Sequence, residues 1–281
     1  MAKRKEPATL KQALKKKLTK KELDLVATSY DLVGDIAVIE IPFELEKKEK
    51  IIAKTLLDLH KNIKVVVKKA GVHKGIYRTQ KMFILAGEDR KTTEHKENNV
   101  RMKLDIEKVY FSSRLSTERK RIAEQIKPGE SVLVMFSGIA PYPLVIAKNT
   151  KAKEVYAVEI NPIAHEYAAE NVKLNKLGNK VKLYQGDVRI VVPKLNKKFD
   201  RILMPLPKEA EGFLDIAFDA INKNGIIHFY DFEKEADIPL AKAKVKKACS
   251  VYKKKCHIIR TVKCGQIGPR EYRLCVDFKV L

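Results

Sequence analysis

The pattern of apolar and polar positions becomes regular after residue 130. Short apolar runs there alternate with amphipathic stretches of helical period. The runs predict strands at 132–136, 154–159, 180–185, 200–204, 224–230 and 272–279. The stretches predict helices at about 141–149, 162–175, 208–222 and 238–253. Such alternation is typical of an α/β fold with a doubly wound, mostly parallel sheet.

A different pattern precedes this region. Residues 31–42 alternate like a strand, Lys47–Leu59 have the period of an amphipathic helix, and two further apolar runs predict strands. We therefore expect a small α+β domain over residues 30–105, followed by the larger domain over 106–281. A basic loop at 71–79 contains Arg78, and polar loops carry function more often than they stabilise a core.

The first 29 residues predict a basic N-terminal segment. Nine of the first 21 residues are lysine or arginine, and one is acidic. The segment is either a basic arm or a short helix, and its charge can hold phosphates without reading a base sequence. Lys15, Lys16 and Lys17 are the candidate RNA contacts. A solvated tail that touches no RNA is the alternative.

The charge balance points to a polyanionic partner. The net charge is +23 at pH 7, which creates a long-range positive potential that attracts nucleic acid. A generally lysine-rich proteome is the alternative explanation. No apolar run approaches the roughly 18 residues that cross a bilayer, and the first residues lack a hydrophobic signal core. We expect a cytoplasmic protein without a membrane partner.

The four cysteines show no C-x-x-C pairing. Their positions, Cys249, Cys256, Cys264 and Cys275, indicate neither a zinc site nor a disulfide framework. We expect reduced thiols in the core and no bound metal.

The stretch from Val132 to Asn175 carries the most specific chemistry. A small-residue turn with Gly138 follows its first strand, and Glu159 ends its second strand 21 residues later. In a βαβ unit, this places a close-approach turn beside a carboxylate that can hold a ribose. A pyrophosphate needs a full G-x-G-x-x-G loop, whereas this turn has one glycine. S-adenosylmethionine has no phosphate and is therefore predicted in preference to NAD.

Several ordered motifs resemble one family. VYFSSRLSTERKRI, MFSGIAPYP, VEINPIA, ENVKLNKL, GDVR, ILMPLPKEAEGFLD, GIIHFY and GPREY look like the archaeal and eukaryotic tRNA (guanine-37 N1)-methyltransferases. The resemblance covers residues 30–281. It implies a class I methyltransferase that binds the anticodon stem-loop of tRNA, and we expect a monomer. The separate N-terminal domain of much of this family is not apparent, since only segment 1–29 precedes the small domain.

The resemblance implies a set of donor-binding residues. Glu159 stands at an acidic-x-Asn motif whose acid binds the ribose, and Asp187 stands at an Asp-Val-Arg motif that lies against the adenine. The turn after the first strand borders the methionine part of the donor. The implied donor-binding residues are Phe136, Ser137, Gly138, Ile139, Glu159, Asn161, Asp187 and Met204.

The resemblance also implies catalytic roles. Glu118 matches a general base, Arg78 matches a contact to the target guanine, and Pro205 and Pro207 belong to a short motif beside the base. N1 of guanine carries a proton that must leave during methylation, and a placed carboxylate accelerates this by roughly 10²–10⁴-fold. A fixed arginine can stabilise charge on the guanine oxygen. Without the resemblance, Glu118 can also be explained as an acidic residue that stabilises a helix terminus. Arg78 can be explained as a phosphate contact or as a solvated charge in a loop.

Two further RNA contacts are predicted beside Glu118. Tyr110 can stack on a flipped base, although aromatic residues near strand ends usually belong to a core. Arg114 lies in the same motif. Ser113 or Ser116 is expected to cap the helix that carries Glu118.

Two positions depart from the family pattern. Val134 stands where the family usually has aspartate at the end of the first strand, and Pro205 stands where the simple methyltransferases have asparagine. Proline cannot donate a hydrogen bond to the guanine edge. A proline here resembles an archaeal subgroup that also methylates C7 of the tricyclic wyosine intermediate, 4-demethylwyosine. That second activity is predicted, with a merely strand-ending proline as the alternative.

Two other functions compete with methyl transfer. A related wyosine-pathway aminocarboxypropyltransferase uses the same donor, but its ending resembles Pro-Gly-Val-Trp-His, whereas this chain has GPREY and no tryptophan. A catalytically weak tRNA-binding protein is the other alternative, and Val134 and Pro205 motivate it.

Overall fold

The structure is a computed structural model that describes residues 9–206 and 208–281, except for the side chains of residues 72–74. The described residues form two compact units. The first contains the chain up to His95 together with Lys103–Ser113, and the second contains Lys96–Met102 and Arg114–Leu281.

The first unit is a four-stranded sheet with helices. A 3-10 helix, Phe43–Lys48, leads into its longest α-helix. The sheet has the order β1-β2-β3-β4, in which β2 and β3 are parallel and the other pairs are antiparallel. Its elements are α1 (Leu10–Leu14), α2 (Lys20–Leu25), β1 (Asp31–Val33), β2 (Ile36–Ile39), α3 (Glu49–Leu59), β3 (Val65–Lys74) and β4 (Thr79–Gly87).

A glycine turn splits the strand that was predicted over residues 31–42. Gly34 has a φ of +58°, which favours glycine, and a Cβ there would lie 2.1 Å from Thr93 Oγ1. The chain therefore reverses between β1 and β2 instead of continuing as one strand.

The described part of the basic segment, from residue 9 on, contains two helices of the first unit. Thr9 and Thr19 start α1 and α2 with capping boxes. Leu10, Leu14 and Leu18 are buried in the core of this unit, whereas the lysines at positions 15–17 are exposed. The apolar positions at this spacing thus anchor a stretch whose charge dominates its composition.

The second unit contains a seven-stranded sheet. A hairpin of β5 (Thr92–Glu97) and β6 (Val100–Asp105) precedes it and contributes residues to both units. The sheet has the order β12-β13-β11-β10-β7-β8-β9. Its elements are α4 (Ser116–Ala123), β7 (Ser131–Met135), α5 (Pro141–Asn149), β8 (Glu154–Glu159), α6 (Pro162–Leu174), β9 (Val181–Gln185), α7 (Val188–Lys194), β10 (Phe199–Met204), α8 (Leu214–Ala220), β11 (Ile221–Lys234), α9 (Ile238–Val251), β12 (Cys256–Gly268) and β13 (Glu271–Val280).

This sheet has the doubly wound topology that the sequence predicts. Strands β11, β10, β7, β8 and β9 are parallel neighbours, and the antiparallel β13 and β12 close one edge. The strand order reverses between β7 and β10. From β7 the chain first adds β8 and β9 on one side of the sheet, and it then adds β10 and β11 on the other side. Ligands bind at such a switch point, outside the carboxyl ends of the strands.

Two local predictions are wrong, and one short helix was not predicted. The helix expected over 208–222 is a 3-10 helix, Ala210–Phe213, followed by the short α8, because β11 already begins at Ile221. Neither Ser113 nor Ser116 caps α4, since a 3-10 turn leads into the helix and Leu115 is its first flanking residue, without a side-chain cap. Helix α7 was not predicted.

Two of the cysteines are bonded, which corrects the expectation of reduced thiols. Cys249 near the end of α9 and Cys256 at the start of β12 form a disulfide, while Cys264 and Cys275 are free. The two cysteines are seven residues apart, and no short sequence motif indicates a disulfide at this spacing.

No helix in the described part of the chain is long and apolar enough to cross a bilayer.

Candidate functional site

The candidate site lies at the carboxyl ends of four neighbouring parallel strands. Strand β7 pairs with β8 on one side and with β10 on the other, and β8 pairs with β9. The predicted donor-binding residues follow or end these four strands. The sheet therefore brings together residues that are up to 68 positions apart, from Phe136 to Met204.

The turn after β7 has an unusual backbone. Phe136, Gly138 and Ala140 all have positive φ, of 57°, 55° and 67°. Left-handed backbone is costly for residues with a Cβ, and such strain is typical of ligand-binding turns. Ser137 donates its amide to Val158 of β8 at 2.9 Å, and Ile139 is fully buried. The turn is thus fastened to β8 without a glycine-rich loop.

Glu159 links this turn to the start of α6. Its carboxylate accepts hydrogen bonds from the amides of Gly138 at 2.6 Å and Asn161 at 2.8 Å. The side chain is almost fully buried, and this burial raises its pKa although the backbone amides act in the opposite direction. A carboxylate in this position can accept ribose hydroxyls while it holds the turn.

The next two predicted residues cap helices at the same edge. Asn161 Oδ1 accepts from the Ile163 amide at 3.0 Å, and Asp187 Oδ1 accepts from the Arg189 amide at 2.8 Å. These caps fix the chain as it leaves β8 and β9. The Asp187 cap also explains why the unpredicted α7 begins at Val188.

The end of β10 supplies the last part of the site. Met204 is fully buried, and its carbonyl accepts from the Leu206 amide at 2.8 Å. Pro205 is half-buried between them, and Pro207 lies outside the described residues. Phe136 meets the ring of Phe213 edge-to-face, at 4.9 Å between centroids.

Val134 lies inside β7 and not at the end of the strand. It is fully buried within β7, where it pairs with Ala157 of β8 and Leu203 of β10. A carboxylate at this position would be surrounded by apolar strands, so valine suits the sheet interior here.

Glu118 on α4 is buried and tightly bonded. Its Oε1 accepts from the Tyr230 hydroxyl at 2.6 Å and from Arg121 Nη2 at 2.7 Å, and its Oε2 accepts from Arg121 Nε at 2.6 Å. Tyr230 in turn accepts a hydrogen bond from the Tyr142 hydroxyl at 3.0 Å. Tyr142 lies in the first turn of α5, two residues beyond the strained turn.

A second carboxylate, that of Asp277, shares Arg121 with Glu118. Asp277 on β13 is fully buried and accepts from Arg121 Nη1 at 2.6 Å and from Arg260 Nε at 2.8 Å. His228 Nδ1 is 2.6 Å from Asp277, and its Nε2 is 2.9 Å from Arg201 Nη1. Because arginine can only donate, His228 is the neutral tautomer with its proton on Nδ1. Burial lowers the pKa of His228, which agrees with this form.

The sequence did not predict this network. Its visible signal is the i, i+3 spacing of Glu118 and Arg121, which places both side chains on one face of a helix. Tyr230 and Asp277 lie 112 and 156 residues away from their partners on α4, and no short-range pattern could connect them.

Three residues of this region have the spacing of a metal site. Ligand atoms of His228, Cys275 and Asp277 lie within 4.8 Å of one another. Asp277 already accepts from two arginines, and a cation added beside those guanidinium groups would be repelled. We assign the three residues to the hydrogen-bond network.

The remaining predicted residues divide between the units. Arg78 lies in the turn between β3 and β4, with a φ of +52° and its amide bonded to the Gly75 carbonyl at 3.1 Å. Tyr110 also belongs to the first unit and is half-buried, whereas Arg114 belongs to the second unit and is exposed.

The three candidate lysines lie after α1. Lys15, Lys16 and Lys17 are exposed, and the ammonium of Lys17 donates to Thr55 Oγ1 at 2.9 Å. The structure therefore assembles the donor-binding set within the second unit, together with Glu118. The candidates Arg78, Tyr110 and the lysines belong to the first unit.

Known proteins resemble both parts of the chain. Residues 93–259 match the TRM5/TYW2 methyltransferase domain, and residues 10–90 match the TYW2 N-terminal domain. The tRNA (guanine(37)-N(1))-methyltransferase Trm5b of Pyrococcus abyssi is 41% identical over 255 residues, which are 90% of this chain and 75% of that protein.

A second relative carries two activities in its name. The tRNA (guanine(37)-N(1))/4-demethylwyosine(37)-methyltransferase Taw22 of Nanoarchaeum equitans is 32% identical, over 90% of this chain and all of that protein. Among solved structures, the complex of aTrm5 with tRNALeu has a TM-score of 0.85 and 36% identity, over all of this chain and 80% of that one.

Proposed function

The chain belongs to the TRM5/TYW2 methyltransferase family, and from this premise we propose that it methylates N1 of guanosine 37 in tRNA with S-adenosylmethionine as the donor. The observation that carries the proposal is the position of Glu159. Its carboxylate joins a strained, glycine-poor turn to the start of α6, at the switch point of the sheet. This suits a nucleoside without phosphates.

The residues at the strand ends fit this donor. Glu159 would hold the ribose, the turn from Phe136 to Ile139 would border the methionine part, and Asp187 would lie against the adenine. When bound, S-adenosylmethionine supplies a methyl group on a positively charged sulfur. The strained turn and the Glu159 carboxylate would bind and orient the donor at the ends of β7 and β8.

We assign the proton of guanine N1 to Glu118. Methylation at N1 requires this proton to leave, and a buried carboxylate is suited to accept it. Arg78 would stabilise the charge on the guanine oxygen, with Pro205 and Pro207 beside the base. Tyr110 and Arg114 would contact the flipped nucleotide or its backbone. The anticodon loop suits such a pocket because its bases can leave the stack.

A single-turnover assay tests this function. Unmodified tRNA is mixed with the protein and S-adenosylmethionine, and its nucleosides are analysed by mass spectrometry. We expect 1-methylguanosine at position 37, and we expect Glu118→Gln to slow its formation by about two orders of magnitude without loss of donor or tRNA binding. Absence of 1-methylguanosine with the unchanged protein would reject the proposal.

The protein's second target would be C7 of 4-demethylwyosine. The relative from Nanoarchaeum equitans carries both activities in its name, and Pro205 offers an apolar ring without an amide hydrogen. A pocket that holds the guanine edge less tightly has room for a tricyclic base.

The exchange of Pro205 separates the two targets. We expect Pro205→Asn to retain formation of 1-methylguanosine and to lose most methylation of tRNA that carries 4-demethylwyosine. Mass spectrometry of both tRNAs measures the two products. If the unchanged protein adds no methyl group to the tricyclic base, Pro205 only ends β10.

The two competing functions give different products. An aminocarboxypropyltransferase would add a heavier group to the wyosine intermediate, and a binding protein without turnover would give no product. The relatives at 41% and 32% identity both carry methyltransferase names, which favours methyl transfer. A monomer in the cytoplasm stays our prediction for the assembly and the compartment.

A further inference from the structure

The buried carboxylate of Glu118 is held by an arginine that bridges two acids. Arg121 directs Nε and Nη2 to Glu118 and directs Nη1 to Asp277. Burial alone would lower the pKa of Arg121, but the hydrogen bonds to the two carboxylates outweigh it and raise this pKa. The guanidinium therefore stays charged, and its planar fork fixes the plane of the Glu118 carboxylate.

Tyr230 fixes the same carboxylate from another element. Its hydroxyl is fully buried, accepts from Tyr142 and donates to Glu118 Oε1. The Glu118 carboxylate can only accept, so Tyr230 donates its single hydroxyl hydrogen to Glu118. Tyr142 must therefore be the donor in its hydrogen bond with Tyr230.

The three hydrogen bonds divide the two carboxylate oxygens. Oε1 accepts both Tyr230 and Arg121 Nη2, whereas Oε2 accepts Arg121 Nε. A carboxylate has about four acceptor positions. Among the donors in residues 9–206 and 208–281, the remaining position on Oε2 receives none. A proton from a substrate is therefore best accepted at Oε2.

We propose that Arg121 and Tyr230 are positioning residues for methyl transfer, which orient Glu118 so that Oε2 accepts the proton of the target base. Asp277 orients Arg121 in turn. This inference rests on the proposed function, in which Glu118 is the base. The other charged and titratable groups of the network are His228, Arg201, Arg260, Cys264, Cys275 and Arg119, whose guanidinium carbon lies 5.9 Å from the Tyr142 ring centroid.

The test is a double-mutant cycle on the methyl-transfer rate. Tyr230→Phe removes one hydroxyl and retains the ring, so we expect a loss of about tenfold, the size of one hydrogen bond to a charged group. In protein that already carries Glu118→Gln, Tyr230→Phe should cause no further loss, because it acts through Glu118. A merely structural role would lower both rates by the same factor.

Arg121 gives an independent variant. Arg121→Lys retains a charge but loses the planar fork that donates two hydrogen bonds to Glu118, so we expect a rate between those of the unchanged protein and Arg121→Met. Dissociation constants for S-adenosylmethionine and tRNA should stay within about twofold in all folded variants, since neither Arg121 nor Tyr230 is among the proposed contacts to the donor or the RNA. Tyr156→Phe is the matched control, because it removes another buried hydroxyl of the sheet, bonded to Lys182.

The outcomes separate the two proposals. No 1-methylguanosine from the unchanged protein rejects the proposed function, and an unchanged rate in Glu118→Gln rejects both the base and its positioning. A slow Glu118→Gln protein with equal losses from Tyr230→Phe in both backgrounds, or with none in either, overturns only the positioning inference.

Discussion

Glu159 is the residue on which donor binding should depend most. Glu159→Gln leaves a single oxygen for two backbone amides and removes the charge that ribose hydroxyls would meet. Hydrogen bonds to charged groups contribute about 1.5–3 kcal/mol, so affinity for S-adenosylmethionine should fall about 10- to 100-fold. Isothermal calorimetry measures this change.

The matched control lies seven residues further on. Glu166→Gln makes the same exchange at an exposed position of α6 and should leave donor affinity unchanged. tRNA affinity should be nearly unchanged in both variants. Equal donor affinity in Glu159→Gln and Glu166→Gln would remove Glu159 from the site.

Asp277 should make stability depend on acid pH. Burial alone would raise its pKa, but the hydrogen bonds from His228 and Arg121 hold the pKa far below its usual range. A depressed folded-state pKa stabilises the protein above the unfolded value of about 3.9, and this stabilisation is lost as the pH falls further.

Asp277→Asn should therefore cost most near neutral pH. Breaking a buried ion pair costs about 3–5 kcal/mol, and this difference from the unchanged protein should shrink below about pH 4. Denaturant unfolding at pH 7 and at several acid pH values measures the difference. The exposed Asp219→Asn is the control, and a difference that is constant across the series would contradict the depressed pKa.

At the level of elements, the periodic part of the fold was predictable. All six predicted strands and three of the four predicted helices of the larger domain are present in the structure, because apolar runs and helical periods are local properties. The same holds for the donor edge, where each candidate residue ends or follows a predicted strand. The ends of α8 and β11 were not predictable, since a sheet partner decides where the helix stops.

Contacts between elements that are far apart in the sequence could not be predicted from local patterns. Glu118, Tyr230 and Asp277 come from α4, β11 and β13, and only the sheet brings them together. The buried leucines of α1 were likewise hidden by the lysines around them.

The disulfide between α9 and β12 is a contact of this kind that can be tested. Cys249 and Cys256 close a short loop, for which chain entropy predicts a stabilisation of about 2 kcal/mol. We expect reduction to lower the free energy of unfolding by this amount, and a Cys249→Ala/Cys256→Ala protein to be insensitive to reductant.

Thiol titration in denaturant checks the bond directly. The unreduced protein should expose two thiols, those of Cys264 and Cys275, and the reduced protein should expose all four. Four thiols without reductant would show that the bond is absent. Donor binding should not change, because Cys256 pairs with Val280, at the amino end of the parallel strands.

For the whole molecule, the net charge of +23 raises the question of which cations meet the RNA. A uniform positive potential and a local contact both strengthen binding at low salt. Deleting the basic segment would not distinguish them, because the buried Leu10, Leu14 and Leu18 would be removed with it.

Substitution of exposed lysines avoids this problem. A protein with Lys15, Lys16, Lys20 and Lys21 changed to glutamine loses four charges but no buried side chain. If these lysines meet phosphates, tRNA affinity should fall, and the slope of log affinity against log salt should become shallower by roughly 0.7–0.9 for each phosphate that is no longer neutralised.

The comparison is a protein that loses four exposed lysines elsewhere, namely Lys242, Lys246, Lys247 and Lys255. Both variants have the same net charge, so a uniform potential would change their salt slopes equally. We expect the larger change in the N-terminal variant, because its lysines are clustered in the turn after α1 and at the start of α2. Equal slopes in the two variants would assign the effect to net charge and remove Lys15 and Lys16 from the RNA contacts.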